Sequence, residues 1–395
     1  MSAAKPDARA GPMPLGGKRI IIVLGALAIA GAERQALLLA RRLKGEYGAV
    51  PEIWGVWDPS PSTLGYEDEV PQHIHHVRWQ TSPLVRLANL VKLGLALRRA
   101  RPDVLMPFTM PPNFFCGLIW KITGASTCIW NQRDEGFTRR PQLGERLAAR
   151  LTPWFASNSA RGRSFLVDTL NVPATRIRVI DNGVEAIRPD VPRAEWRRRL
   201  GLDESSVLAC MVGNFQSWKD HETLIRAWRV VLDGLLLSGE NATLLLAGGA
   251  GDVRLEDLQA LVRGLALEPH VIFLGYVPDV PSLLGAVDIG VFSSKTEGAP
   301  NGVLEVMAAG LPVVGTNIPG VAHLVGGGDR AQLAEPGDEH GLAERILALV
   351  RDPALRRTLG TRNKTRVEQE FSPDRMCREY VGLIETALAN PRAFS

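Results

Sequence analysis

Short apolar runs rich in β-branched residues alternate along this chain with longer stretches of helical periodicity, and that alternation constrains the fold more than any other feature. A short apolar run followed by a helix, repeated many times, is the pattern of parallel strands joined by helical crossovers. In the first half the expected strands are Arg19 to Leu24, Glu52 to Trp57, Val104 to Phe108, Thr127 to Trp130, Trp154 to Asn158 and Ile177 to Ile180, with a helix over Glu33 to Leu43. In the second half the plan repeats. Strands are expected at Val207 to Val212, Ala242 to Ala247, Val271 to Leu274, Ile289 to Phe292 and Pro312 to Thr316, and helices at His221 to Asp233, Leu255 to Gly264 and Val303 to Ala309.

At 395 residues the chain exceeds what one ordinary core holds, so two α/β domains are expected. From Asn182 to Leu202 the composition turns to Gly, Pro and Arg with few strand formers, which places the boundary there. The expected division is a loose tail over 1–17, an N-terminal α/β domain over 18–185, a linker over 186–203 and a second α/β domain over 204–372. A closing stretch over 373–395, helical from Asp374 to Leu388, can pack on either domain, including back on the first. Two such domains imply a cleft, and clefts between domains are where ligands bind.

Apolar residues make up 45% and charged residues 22% of the chain, so a compositionally disordered body is excluded. The net charge is only +4, yet arginines cluster at Arg98, Arg99 and Arg101, at Arg139 and Arg140, and at Arg193 with Arg197 to Arg199. These read as solvated helix faces, with an anionic membrane surface or an acidic acceptor as the competing reading. No aromatic interleaving or nucleic-acid motif accompanies them, so nucleic acid is not an expected partner. The segment Leu84 to Arg101 is an amphipathic basic helix with Leu84, Leu87, Val91, Leu95 and Ala96 as its apolar side, ended by Pro102. Packing against its own sheet is expected, and lying on a membrane competes.

Cys116, Cys128, Cys210 and Cys377 are scattered without CxxC pairs, which suits a reducing cytosol and no zinc site. The apolar run Ile20 to Ala32 reads as a strand and turn rather than a signal-peptide core, and no run reaches the length of a transmembrane helix. The expected location is the cytoplasm, with peripheral contact on the inner face of its membrane as an extension. His73, His75 and His76, and the acidic Glu67-Asp68-Glu69, read as surface residues rather than metal ligands.

Chemistry concentrates in one segment, Ser294-Lys295-Thr296-Glu297-Gly298-Ala299-Pro300-Asn301-Gly302-Val303-Leu304-Glu305. Gly298, Pro300 and Gly302 forbid a continuous helix, so Glu297 belongs to a loop and Glu305 to the first turns of a helix. Backbone N–H groups at that helix start, with the positive end of the macrodipole, suit a diphosphate, and a carboxylate beside them suits sugar or ribose hydroxyls. Upstream, Val212-Gly213-Asn214-Phe215-Gln216-Ser217-Trp218-Lys219-Asp220-His221 reads as strand, turn and helix start, and Gly25 to Glu33 is a glycine-bearing turn into a helix. That turn lacks the Gly-x-Gly-x-x-Gly spacing of a dinucleotide cofactor site.

In these segments the chain resembles the retaining glycosyltransferases of family 4, whose hallmark is Glu-x7-Glu in this Gly/Pro-interrupted setting. The resemblance implies a GT-B architecture: two Rossmann-like α/β domains facing each other across a central cleft. It implies transfer of a sugar from a UDP- or GDP-sugar to a carbohydrate or lipid-linked acceptor in polysaccharide or glycoconjugate biosynthesis, with no cofactor and no metal. Carried over residue by residue, Glu297 and Lys219 are the catalytic candidates. Gly31, Gly213, Asn214, Lys219, Gly298, Asn301, Gly302, Val303, Leu304 and Glu305 are the donor-binding ones. Lys219 would contact the diphosphate, Glu305 the ribose, and Gly31 would approach the donor phosphate through its loop. Relatives often carry arginine where Asn214 stands, and a histidine in the region matching Met106 to Asn113, which has none. Asn182-Gly183-Val184-Glu185 is similar to the family's hinge motif, with Glu for Asp. Arg133 and Asp134, in the polar run Asn131 to Gly136 after an expected strand, are acceptor-side candidates or an ordinary loop ion pair. A sugar-nucleotide epimerase and a non-catalytic nucleotide-sugar binding protein are the competing functions.

Overall fold

A computed structural model describes residues 13–28, 30–57, 64–79, 82–136, 143–186, 188–236 and 239–391 of the chain. Most of the expected N-terminal tail, Ile29 of the Gly25 to Glu33 turn and the Arg139–Arg140 pair lie outside these residues. The chain divides into two compact units, Met1–Gly183 with Pro373–Ser395, and Val184–Ser372.

In the first unit the order along the chain is β1 Arg19–Leu24, α1 Gly31–Tyr47, β2 Val50–Gly55, β3 Gln72–Ile74, α2 Pro83–Arg99, β4 Val104–Pro107, α3 Met110–Thr123, β5 Thr127–Gln132, α4 Leu143–Leu151, β6 Trp154–Ser157, α5 Ala160–Ser164 and β7 Ile177–Val179. Among the described residues its strands form a seven-stranded parallel sheet in the order β3-β2-β1-β4-β5-β6-β7. The sequence of β1, Arg-Ile-Ile-Ile-Val-Leu, is almost wholly apolar because both faces of a parallel sheet are covered by helices. Alternate residues sort accordingly. Ile20, Ile22, Met106 and Ile129 share one core with α1, whereas Ile21, Val23, Leu105 and Cys128 share another with α2 and α3. A third cluster places Ala148 and Ala149 of α4 against Trp130 and Phe155, with Phe114 of α3 packed on it.

The second unit runs α6 Arg193–Arg199, β8 Val207–Val212, α7 His221–Leu235, β9 Ala242–Ala247, α8 Leu255–Gly264, β10 Val271–Gly275, α9 Val280–Ala286, β11 Ile289–Phe292, α10 Asn301–Ala308, β12 Val313–Thr316, α11 Pro319–Val325, β13 Leu333–Ala334, α12 Glu339–Arg351 and α13 Pro353–Glu370. Its described strands form a six-stranded parallel sheet in the order β10-β9-β8-β11-β12-β13, around one continuous core that includes the fully buried Trp228. Aspartates start several of its helices: Asp279 accepts from Ser282 N at 3.0 Å, Asp338 from Gly341 N at 2.8 Å and Asp352 from Leu355 N at 2.8 Å. The last helix, α14 Pro373–Ala389, belongs to the first unit and places Met376, Cys377, Tyr380 and Ile384 in the α1 core.

Three local expectations change. The expected strand ending at Trp130 continues to Gln132, so Asn131 and Gln132 are buried strand residues rather than loop. Side-chain pairing explains it: the Asn131 amide donates to the Pro107 and Ile129 carbonyls at 3.0 and 2.9 Å and accepts from the Tyr380 hydroxyl at 2.9 Å. The expected apolar side of the helix from Leu84 is reversed. The helix buries Leu90, Leu93, Gly94 and Leu97, while Leu84 (80% exposed), Leu87, Val91 and Leu95 face outward. Both stripes satisfy helical spacing, so periodicity could not choose between them. Arg197 is not on a solvated face but 1% exposed. Its Nη2 pairs with Asp288 Oδ2 at 2.7 Å, its Nη1 donates to the Ser206 carbonyl at 2.8 Å and its Nε to the Ala286 carbonyl at 3.0 Å. Asp288 Oδ2 also accepts from Leu208 N at 2.9 Å, so the pair ties α6 to the start of β8 and to the turn before β11.

Helix α7 begins with His221, which is 3% exposed, lies 4.9 Å from the Phe215 ring and leaves Nδ1 without a hydrogen-bond partner. Burial first, and the Lys219 ammonium second, push this imidazole down to about 4.

Two outcomes follow from these buried groups. Arg197→Ala should lower the unfolding free energy by about 1–3 kcal/mol in denaturant titration, because the Ser206 and Ala286 carbonyls lose a buried donor while Arg193 still pairs with Asp288 at 2.8 Å. For His221 the folded pKa lies below the unfolded one, so the unfolded chain binds the extra proton between the ordinary histidine value and about 4. Stability should therefore fall as pH drops through that window, and His221→Asn should flatten that part of a Tm-against-pH profile.

Candidate functional site

Open parallel sheets collect ligands outside the carboxyl ends of their strands, where neighbouring crossovers leave in opposite directions. In the second unit that switch falls between β8 and β11, since β9 and β10 extend one way and β12 and β13 the other. The loops after β8 and β11 carry Lys219 and Glu297, and the structure brings them together. Lys219 Nζ lies 2.5 Å from Glu297 Oε1, and each side chain is 13% exposed. Ser294 Oγ donates to the same carboxylate oxygen at 3.0 Å.

Several further bonds hold the two loops. Lys295 N donates to the Trp218 carbonyl at 2.7 Å, and Ser293 Oγ to the Lys219 carbonyl at 3.0 Å. Lys295 Nζ reaches Asp220 Oδ1 at 3.2 Å, and Asp220 itself sits in the left-handed region at φ 53°. Aspartate is among the few residues that tolerate that conformation, which turns the chain between Lys219 and His221. Asn214 occupies the position after the β8 glycine and accepts from Gly249 N through Oδ1 at 3.0 Å, so it links the loops after β8 and β9.

Helix α10 starts directly behind Glu297. Its first residue follows Pro300 and no side chain caps it; Val303 N and Leu304 N both point to the Pro300 carbonyl, at 3.2 and 3.4 Å. The Val303 and Leu304 side chains are fully buried. Glu305 lies one turn in and is buried at 8% exposure. Gly302 and Gly320 are demanded by close approach. A Cβ on Gly302 would meet the Val212 carbonyl oxygen at 2.7 Å, and one on Gly320 the Glu297 carbonyl oxygen at 2.2 Å. Gly213, Asn214, Lys219, Glu297, Gly298, Asn301, Gly302, Val303, Leu304 and Glu305 therefore all belong to the carboxyl edge of one sheet or to the helix starting from it. A fixed ammonium, a helix start and two carboxylates there can hold a diphosphate and a set of hydroxyls.

The first unit has its own switch between β1 and β4. Gly31 opens α1 on the β1 side. On the β4 side Thr109 has φ 68° and ψ 169°, a conformation rare for any residue but glycine and strained for a β-branched one. Arg133 does not form the ordinary ion pair with Asp134. Its Nη2 donates to Asn182 Oδ1 at 2.6 Å, its Nη1 reaches the Tyr380 hydroxyl at 3.5 Å, and its guanidinium lies 5.5 Å from the Phe108 ring centre. Desolvation lowers the Arg133 pKa, and Tyr380 and Glu33 oppose that shift. Glu33, in the first turn of α1, is raised by desolvation, against its own backbone N–H and Arg133. Asp134 Oδ1 accepts from Gln132 Nε2 and from Gly136 N, each at 2.7 Å. Sequence reasoning missed Thr109, whose signal is conformational, and Tyr380, which reaches Asn131 from a helix 249 positions along the chain.

Two family models match the chain: that of the family 4 glycosyltransferases over residues 29–188 and that of the group 1 glycosyl transferases over residues 192–366. Among curated relatives, the N-acetyl-alpha-D-glucosaminyl L-malate synthase of Bacillus anthracis is 28% identical over 186 residues, 47% of this chain and 47% of its own. The UDP-Gal:alpha-D-GlcNAc-diphosphoundecaprenol alpha-1,3-galactosyltransferase of Escherichia coli is 25% identical over 280 residues, 68% of this chain and 72% of its own. The chain spans about half the length of most curated relatives it matches. Among solved structures, the HepE protein of Anabaena in complex with UDP and glucose superposes with a TM-score of 0.81 at 20% identity, covering 93% of this chain and 100% of that one. The two parallel-sheet units are those of the GT-B architecture. Matched in both units by models of one family, the chain belongs to the group 1, or family 4, glycosyltransferases.

Proposed function

We propose that this chain transfers a hexosyl group from a UDP-sugar to a hydroxyl of a carbohydrate or lipid-linked acceptor, with retention at the anomeric carbon. The observation that carries the reading is the Lys219–Glu297 pair at the β8/β11 switch, with the start of α10 and Glu305 directly behind it. The name of the Escherichia coli relative, which specifies UDP-galactose, favours uridine as the base.

On this reading the paired side chains are a stand-in for a bound donor. The diphosphate takes over the Lys219 ammonium, which leaves Glu297 to accept hydrogen bonds from the sugar hydroxyls. The first backbone amides of α10 face the diphosphate, and Glu305 accepts from the ribose hydroxyls. In the reaction the bond from the anomeric carbon to the diphosphate oxygen breaks, and a new bond forms to the acceptor oxygen. The acceptor's proton passes to the departing diphosphate, whose growing negative charge Lys219 stabilises. No protein nucleophile is assigned, and the residues named need no metal ion to do what is asked of them.

The test is thermal unfolding with UDP, GDP and ADP, followed by turnover with UDP-hexoses. UDP should raise the Tm by mass action, and Lys219→Ala should abolish the shift and lower kcat by roughly 10²–10³. Glu305→Ala should weaken UDP binding while leaving the Tm of the free protein within a few degrees. A Tm unmoved by any nucleoside diphosphate would sink the donor site; an inverted product by NMR would sink retention alone.

A further inference from the structure

The carboxyl edge of the first unit's sheet carries an aromatic surface that the donor chemistry leaves unused. All nine tryptophans of the chain lie among the described residues, and Trp57 alone is exposed, at 37%. It follows β2, and its backbone N–H donates to the Gly25 carbonyl at 2.7 Å, so it sits beside the loop after β1, at the β1/β4 switch. The indole lies within 28° of parallel to the buried Phe115 ring of α3, with ring centres 5.8 Å apart. Trp79 braces the pair, 5.1 Å from Phe115 and edge-on to Phe114 at 5.2 Å. One face of the Trp57 indole is therefore held against the core while the other is left to solvent.

A single exposed aromatic is ordinary on a protein surface. This one stands where open parallel sheets collect ligands. On the far side of Gly25 is Thr109, held at φ 68° and ψ 169°, a region that glycine alone enters without strain. A Cβ on Gly25 would have Thr109 Oγ1, at 4.0 Å, as its one neighbour within that distance among the described residues, so the space over the glycine is open. Thr109 Oγ1 donates its proton to the Phe108 carbonyl at 2.5 Å, which leaves its lone pairs to accept. A rigidly backed π-face beside a hydroxyl acceptor suits a pyranose. Such a ring presents C–H groups on its face, which meet the negative face of an indole, and hydroxyls around its rim, one of which can donate to Thr109. A nucleobase is the other flat partner of an indole, so uridine enters the test as a control.

We propose that Trp57 and Thr109 form a sugar subsite of the acceptor, with the indole stacked on the C–H face of a pyranose and the Thr109 hydroxyl accepting from one of its hydroxyls. This rests on the transferase reading and names the acceptor's class: a glycoside whose terminal pyranose has an unobstructed C–H face, rather than a bare lipid or alditol phosphate.

Fluorine NMR of the full chain labelled with fluorotryptophan tests it, with the Trp57 and Trp218 signals assigned from Trp57→Phe and Trp218→Phe. The probes are the methyl glycosides of glucose, galactose and N-acetylglucosamine in both anomers. At least one should move the Trp57 signal along a saturable curve, with a Kd of roughly 1–10 mM, the range that one stacked ring and one or two hydrogen bonds supply. Trp218, on the loop after β8, should stay still. Saturation transfer should reach the C–H protons of one face of that sugar and be lost in Trp57→Ala. Thr109→Gly should raise the Kd about fivefold to tenfold while Tm stays within a few degrees, because glycine adopts this backbone without strain. A Thr109 with only a structural role would leave the Kd unmoved. The proposal is overturned by the absence of a saturable Trp57 shift with every glycoside, by an equal shift with uridine, or by a Kd unchanged in Thr109→Gly. If UDP still raises the Tm when every glycoside fails, this subsite alone falls; loss of the UDP response counts against the donor reading instead.

Discussion

Lys219 and Glu297 sit 2.5 Å apart in a place where water reaches little of either side chain, and the loops of the second unit are arranged around keeping them there. Burying two charges is expensive unless each finds its partner and further hydrogen bonds. Ser294 supplies one of these to the carboxylate. The backbone around them is fixed by Ser293, Lys295 and the left-handed Asp220. Behind the lysine, His221 stays neutral because burial and the neighbouring ammonium both oppose its protonation. On the proposed reading, the ligand would offer an anion to the lysine and hydroxyls to the glutamate held in this way.

The first unit solves a different problem at the same edge of its sheet. The chain leaves it at Gly183 and returns at Pro373, and both passages are held. Gln35 makes a two-way bond with the Gly183 backbone, donating to its carbonyl at 2.8 Å and accepting from its N–H at 3.1 Å. Arg133 takes Asn182, and the Tyr380 hydroxyl takes Asn131, so α14 is fastened to the end of β5. A Cβ on Gly183 would strike the Pro373 backbone at 2.9 Å, which explains a glycine at the crossing. These polar groups are buried, and mutual pairing is what makes their burial tolerable.

Arginine illustrates how differently one residue type is used. Arg197 is a buried fastener for α6, Arg133 a strand-end clamp, and Arg146 and Arg150 surface charges beside exposed leucines. In the sequence only Arg197 reads as a member of a basic cluster, whereas Arg133 reads as an acceptor-side candidate. The planar guanidinium, with five donors, suits each of these settings, so only the carbonyls and carboxylates around it reveal which one applies.

The alternation of apolar runs and helical stretches determined the two parallel-sheet units almost strand by strand, because a strand covered on both faces must be apolar along its length, as in β1, β8 and β9. It also determined that Glu297 lies in a loop and Glu305 in a helix, because Gly298, Pro300 and Gly302 leave no other backbone. The tertiary structure decided what depends on partners distant in sequence. It chose which of two equally periodic stripes α2 buries, kept Asn131 and Gln132 in a strand, and held Thr109 at a positive φ. Periodicity reports spacing along one element, whereas burial and polar pairing depend on neighbours from elsewhere in the chain, such as Tyr380 for Asn131 and Asp288 for Arg197.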